Sequence, residues 1–436
     1  MVTIIYDIDA LFVVYIVYYI HYRWLIKRKE GLICFMNKLS IVLGACGIHL
    51  CIGSVYAWSV LTNPIISITG WQLSQVTFAF SLAILFLGFS AGFLGNKVTV
   101  WGPKKSGFIA TGCFVTGLLG SALAIWLENI WLLYLFYGCI GGTGLGIGYI
   151  TPVATLLKWF PKHKGFAGGC AVMSFGFAAT LAGPVMQDIV ANYGVIPNFI
   201  ICAIVYGTVM FLSARVLRDP KKPSTDKQIL QYSTFNETES VKPSKAIKTV
   251  NFWILWIVFF INIACGIALL SIASPMGQEI GMNSVEAAGM VAMIGIINGG
   301  GRIFFATISD YIGRGMTYNL FFVIEAYAFF ILSDTTNAFL FQSIVLIIIS
   351  CYGGGFSCMP AYLSDIFGIK WLSAIHGRIL TAWGIAGIVG PLVITRCYEY
   401  FGGYQLALQI FSGFFIVSSL MIIVLIERVK PLWPHE

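Results

Sequence analysis

Charge is what this 436-residue sequence has least of: 10% of its residues are Asp, Glu, Lys or Arg, against roughly 25% in an average soluble domain. That shortage excludes a soluble globular protein, and the 58% hydrophobic content excludes intrinsic disorder. Paired cysteines are lacking too. The eleven Cys form no C-x-x-C motif and sit mostly inside apolar runs (Cys46, Cys113, Cys202, Cys265), where each reads as a small hydrophobe. Nor do the apolar stretches alternate with polar residues, as the strands of an outer-membrane barrel would. No nucleophile elbow, H-E-x-x-H zinc site, Walker loop or His–Asp acyltransfer pair is read in the chain, so neither an enzyme nor a cofactor or metal is expected. Gly141-Gly142-Thr143-Gly144-Leu145-Gly146 misses the dinucleotide spacing, and Gly138, Gly142 and Gly146 read instead as a close helix–helix contact.

What is present is one apolar run after another. A membrane-crossing helix needs about 20 apolar residues. Such segments lie at Leu39–Leu61, Leu73–Leu94, Gly107–Leu127, Trp131–Leu157, Gly165–Val190 and Val195–Leu217, then at Phe252–Ala273, Val285–Ile308, Met316–Leu332, Ala338–Leu363, Ala374–Thr395 and Tyr404–Ile426. The reading is an all-α membrane protein of twelve helices. It divides into an extension (1–38), a six-helix half (39–217), a linker with the Pro- and Ser-containing composition of a spacer (218–249), a second six-helix half (250–427) and a tail (428–436). The net charge of +8 does not point to nucleic acid, because the cations fall in every second loop. Lys97, Lys104 and Lys105, then Lys158, Lys162 and Lys164, then eight Lys or Arg from Arg215 to Lys248, then Arg314, Lys370, Arg428 and Lys430 all belong to one side, with Arg396 alone on the other. By the positive-inside rule both ends of the twelve-helix body and the linker are cytoplasmic, in a plasma or inner membrane. Asn236-Glu237-Thr238 is then a chance match to a glycosylation acceptor.

In residues 1–38 the Ala10–Ile20 run is too short for a confident span, and its basic residues follow rather than precede it, unlike a signal peptide. Read-through of upstream sequence with a true start at Met36 is favoured over an extra helix, so residues 1–35 are expected to be dispensable.

The two halves repeat each other. Gly95-Asn96-Lys97-Val98-Thr99-Val100-Trp101-Gly102-Pro103-Lys104 after the second segment answers Ala306-Thr307-Ile308-Ser309-Asp310-Tyr311-Ile312-Gly313-Arg314 after the eighth. Ser174-Phe175-Gly176 with Gly183-Pro184 answers Ala382-Trp383-Gly384 with Gly390-Pro391, and Pro152 answers Pro360. Parallel repeats of this kind place a site at their interface near the bilayer midplane.

Ala306 to Arg314 resembles the G-x-x-x-D-x-x-G-R/K loop of the major facilitator superfamily, with Ala in the first place. The first-half copy keeps Gly95, Gly102 and Lys104 but has Thr99 where an acid is usual. Gly53-Ser54-Val55-Tyr56-Ala57-Trp58-Ser59-Val60, Lys158-Trp159-Phe160-Pro161 and Asp365-Ile366-Phe367-Gly368 are similar to the oxalate/formate antiporter branch, with the monocarboxylate porters as cousins. The resemblance covers about residues 37–430. It implies secondary active transport by alternating access, with Gly95, Gly102, Lys104, Asp310, Gly313 and Arg314 in the gating loops.

Arg302, inside the eighth segment, is the most informative residue. An intramembrane Arg costs about 2.5–3.5 kcal/mol on insertion scales, and its planar fork fits a carboxylate. The competing reading is an Arg that snorkels to the interface or pairs structurally. In the resembling antiporters an Arg at this place binds the substrate carboxylate. Those that carry oxalate have a Lys in a Thr-Ala-Lys-Gly context where this chain reads Thr381-Ala382-Trp383-Gly384, and one fixed cation suits a monoanion better than a dianion. Monocarboxylate porters have an acid where this chain has Asn298. Tyr352 and Phe356, one turn apart, match aromatic walls of the antiporters, against the blander reading of ordinary packing. His49 and Tyr56 share a helix face, and His49 is a candidate for a coupling proton, against the blander reading of a helix-bonding His. Glu325 reads as a structural partner. The expected function is a monomeric transporter of a small monocarboxylate (formate, lactate or pyruvate), with a coupled proton or counter-anion. The alternatives are oxalate/formate exchange and a non-transporting membrane anion sensor.

Overall fold

The computed structural model describes residues 36–220 and 240–429. The expected extension at 1–35, the glycosylation match at Asn236 and the end of the tail lie outside the described residues. Within them every regular element is a helix. Ten helices are long and apolar enough to cross a membrane. One of these is really two, because Leu73–Trp126 is broken at Gly102, and Ser284–Ile312 completes the twelve.

In chain order they are α1 (Met36–Ala57, carried on by the short Ser59–Thr69), α2 and α3 (Leu73–Trp126, divided at Gly102), α4 (Ile130–Trp159), α5 (Lys164–Tyr193) and α6 (Val195–Val216). The second half has α7 (Val250–Glu279), α8 (Ser284–Ile312), α9 (Arg314–Ser333), α10 (Ala338–Phe367), α11 (Leu372–Phe401) and α12 (Gln405–Val429).

The two repeated loops are shorter than the sequence suggests. α2 continues through Val100, and α8 through Ile312, so Thr99 and Asp310 stand on helix ends. Apolarity stops at the membrane boundary, but backbone hydrogen bonding does not. Each turn is reduced to one glycine, Gly102 at φ 77° and Gly313 at φ 86°, a backbone region that a side chain would strain. Pro103, without an N–H, then starts the next helix.

Small residues let the helices approach. A Cβ on Gly138, Gly142 or Gly146 of α4 would meet α2 at Leu82, Ala83 and Leu87 respectively, within 2.7 Å in each case. The two halves meet in the same way along α2 and α11, where a Cβ on Gly95 would lie 2.6 Å from Ala374 Cα and one on Gly377 1.9 Å from Ala91 O. They also meet along α5 and α8, where Gly165 faces Ala306 O. Gly88-Phe89-Ser90-Ala91-Gly92 has the G-x-S-x-G spacing that the sequence reading passes over. It lies in the middle of α2, and Ser90 Oγ donates to the helix carbonyls of Leu87 and Thr143, which is no nucleophile elbow.

Glu325 has its structural partner. Fully buried on α9, it accepts from Asn262 Nδ2 of α7 at 3.2 and 3.3 Å.

Candidate functional site

Arg302 stands mid-way along α8 and is 0% exposed, so it does not snorkel. Room for its side chain comes from two glycines: a Cβ on Gly176 would be 3.2 Å from Nε, and one on Gly353 3.2 Å from Cγ. Nε donates to Asn298 Oδ1 one turn earlier at 3.2 Å. Nη1 donates across the interface between the halves to Val172 O of α5 at 2.9 Å. A guanidinium has five N–H groups, and only these two hydrogen bonds are made. Nη2 is buried without a partner. The guanidinium carbon lies 5.1 Å from the ring centre of Phe356 on α10 and 6.0 Å from that of Phe175 on α5. Among the described residues no ion pair includes Arg302.

The rings extend from there. Trp383 of α11, fully buried, packs at 4.8 Å on Phe356, 5.8 Å on Phe175, 5.5 Å on Tyr149 and 6.3 Å on Tyr56. Tyr352 packs on Phe356 at 5.3 Å. Tyr56 lies within electrostatic range of both Arg302 and Tyr352. This packed cluster is therefore drawn from α1, α4 and α5 of one half and from α8, α10 and α11 of the other.

Tyr149 Oη, Trp383 Nε1 and Arg302 Nη2 are buried without a hydrogen-bond partner, and Tyr56 Oη is buried beside Arg302 and Tyr352. Each can donate, and a buried donor left unpaired costs about 1–3 kcal/mol. Two such groups, on Tyr149 and Trp383, thus accompany a cation that itself has an unpaired donor, and all three lack an acceptor.

The structure thus gathers Arg302, Asn298, Tyr56, Tyr352, Phe356 and Trp383. It adds Tyr149, Phe175 and His376, which the sequence reading missed. Phe175 was legible: the repeat aligns Ser174-Phe175-Gly176 with Ala382-Trp383-Gly384, and the two aromatic partners of that alignment meet. Tyr149 carries no such signal. His376 of α11 is buried 6.0 Å from the Tyr149 ring, with Nε2 unpartnered. His49 borders the cluster, stacked on Tyr149 at 5.0 Å.

The remaining candidates lie apart, at the Lys-rich end. Asp310 of α8 accepts from the N–H groups of Gly165 and Phe166, both at 3.0 Å, and so caps the N-terminus of α5 in the opposite half. It is also paired with Arg314. Arg314 reaches Asp365 of α10 at 3.2 Å, and Asp365 binds Lys164 of α5 at 2.7 Å. The first-half copy is different. Thr99 bonds back to Gly95 O at 3.1 Å, and Lys104 is exposed. There the α2–α11 contact rests on the close approach of Gly95 to Ser373 and Ala374.

Residues 43–391 match the sequence profile of the Major Facilitator Superfamily. The chain belongs to that superfamily. It is similar to the oxalate:formate antiporter of Oxalobacter formigenes, 28% identical over 78% of this chain and 79% of the relative. It is also similar to apicoplast pyruvate carrier 1 of Toxoplasma gondii, 22% identical over 78% of this chain and 79% of that one. Among solved structures it superposes on FucP in the outward conformation with a TM-score of 0.70 at 12% identity, covering 89% of this chain and 99% of FucP. The facilitator fold of two pseudo-symmetric six-helix halves accounts for a cluster contributed by both. Its members found here are transporters, and this chain is a multi-pass membrane transporter of the same superfamily.

Proposed function

We infer that this transporter moves a small monocarboxylate anion by alternating access, with the Lys-rich end of the helices facing the cytoplasm of a plasma or inner membrane. The reading rests on one observation: a fully buried guanidinium between the two halves, with Nη2 unpartnered and no carboxylate bound to it. A substrate carboxylate supplies the missing acceptor, and the free edge of Nη1 and Nη2 can hold its two oxygens side by side. Tyr56, Tyr149 and Trp383 then donate around it, while Phe175 and Phe356 exclude water and strengthen the ionic contact. A single fixed cation neutralises one carboxylate, and a second buried without a partner would cost several kcal/mol. Similarity to an oxalate:formate antiporter favours exchange of a dianion as the second reading. The gating residues Gly95, Gly102, Lys104, Asp310, Gly313 and Arg314 are assigned to closing the cytoplasmic end.

Uptake of formate, lactate, pyruvate and oxalate into proteoliposomes tests this. Arg302→Lys keeps the charge but loses the planar fork. It should raise the half-saturation concentration of the preferred monocarboxylate tenfold or more, or abolish uptake, in protein that still elutes as a folded species. Uptake curves matching wild type would sink the assignment, as would binding of labelled anion with no exchange.

A further inference from the structure

Inside the first half, apart from the cluster around Arg302, lies a small cavity of about 20 Å³. α1, α3, α4, α5 and α6 all reach it, through Trp58, Phe114, Tyr137, Met186 and Asn198 among others. Two irregular helix segments border it. Ser54–Ala57 of α1 is a 3-10 turn, and Tyr134–Gly141 of α4 winds as a π-helix, a form that is rare and often sits at functional sites. The two are in contact, since the Trp58 ring packs on Tyr137 at 4.1 Å.

The polar atoms of the wall match one kind of molecule. Trp58 Nε1 and Asn198 Nδ2 are buried without a hydrogen-bond partner, on residues 4% and 0% exposed. Both are donors that lack an acceptor. Ser54 Oγ gives its hydrogen to Cys51 O at 2.6 Å and keeps its lone pairs, and Asn198 Oδ1 takes only the weak Cys202 thiol at 3.8 Å. No charged side chain lines the cavity among the described residues. An occupant must therefore accept and donate hydrogen bonds, carry no charge and fill the space of one heavy atom. A water molecule meets all of these terms: it needs about 10–15 Å³ of such space and two to four polar partners.

We propose that this cavity binds one ordered water molecule, which bridges α1 to α6 and holds the 3-10 turn that carries Tyr56. Ser54, Val55 and Trp58 face the cavity. The Tyr56 ring turns the other way, onto Phe175 at 5.2 Å and Trp383 at 6.3 Å. Trp58 and Asn198 are then positioning residues, which act on the substrate only through Tyr56. That step rests on reading the surroundings of Arg302 as the anion site; the water does not.

X-ray hydroxyl-radical labelling of the purified full chain tests the water. Radiolysis of a bound water oxidises the side chains beside it, so Trp58 and Tyr137 should be labelled although both are buried. Tyr318, buried and bonded to Gly355 O, should stay unlabelled. Asn198→Leu removes both polar atoms of the side chain and should lose most of the Tyr137 label. Where that variant does not fold, Trp58→Phe removes the other donor and is read the same way. An unlabelled Tyr137 in the wild type overturns the water, and so does full label retained in a folded variant.

Uptake tests the positioning, with whichever of formate, lactate, pyruvate or oxalate shows saturable exchange. Asn198→Leu and Tyr56→Phe should each raise the half-saturation concentration by about two- to tenfold, with the maximal rate nearly unchanged. The double variant should be no weaker than Tyr56→Phe alone, because the water acts through Tyr56. Effects that multiply mean that the cavity only stabilises the half as a whole, and they overturn the positioning. Wild-type uptake by Tyr56→Phe overturns it too. Wild-type-like uptake by Arg302→Lys with the Tyr137 label intact removes the anion site and leaves the water standing.

Discussion

Trp383 packs on the two rings that flank Arg302. Its indole shares the Phe356 and Phe175 walls with Arg302 and brings a donor without a charge. Replacing it by Lys would add a second cation on the far side of the same rings. Trp383→Lys should therefore shift preference toward a dicarboxylate. One charge-assisted hydrogen bond is worth about 1.5–3 kcal/mol, so oxalate uptake relative to lactate is expected to rise by roughly one to two powers of ten. Competition between labelled lactate and unlabelled oxalate measures it; an unchanged ratio in folded protein means that position 383 and Arg302 do not share a substrate. Glu325, by contrast, is a buried carboxyl outside the cluster, and its bond to Asn262 ties α9 to α7 within one half.

Among the elements, α2 and α4 illustrate how packing without a hydrophobic driving force depends on small residues. A Cβ on Gly146 would sit 2.3 Å from Leu87 O and 2.2 Å from Ser90 Oγ, and a backbone oxygen cannot swing aside. Gly146→Ala should destabilise by about 1–3 kcal/mol, as overpacking does, and lower the unfolding temperature in detergent. Gly112 of α3 has nothing within 4 Å of the same position. Gly112→Ala should be neutral or stabilise by about 0.4–1 kcal/mol. Equal unfolding temperatures for the two variants would contradict the close contact. The broken form of α1, with a 3-10 turn at Ser54–Ala57, was not apparent from its apolar run. Apolarity alone does not distinguish a regular helix from a tightened one.

For the molecule as a whole, the two halves are joined at the Lys-rich end by unequal devices: an ionic cap between α5 and α8, and glycine packing between α2 and α11. Asp310→Asn removes the charge that caps α5 and one of the two acceptors that meet Gly165 and Phe166. Loss of such bonds costs about 1.5–3 kcal/mol and should shift the population toward an open Lys-rich end by one to two powers of ten. Spin labels at positions 104 and 370 should report longer distances in the variant, and an unchanged distribution would mean that the cap does not hold the gate. The twelve-helix fold followed from the sequence, because the bilayer demands long apolar helices, and Arg302 stood out as a candidate because an intramembrane cation is conspicuous. Phe175 could be read through its alignment with Trp383. Tyr149 and His376 could not, since an aromatic or a histidine in an apolar run looks the same whether it faces lipid, core or site. Which carbonyls meet Arg302 and His49 only the tertiary structure decided: those contacts join residues a hundred or more positions apart, and helix rotation, not local pattern, brings them together.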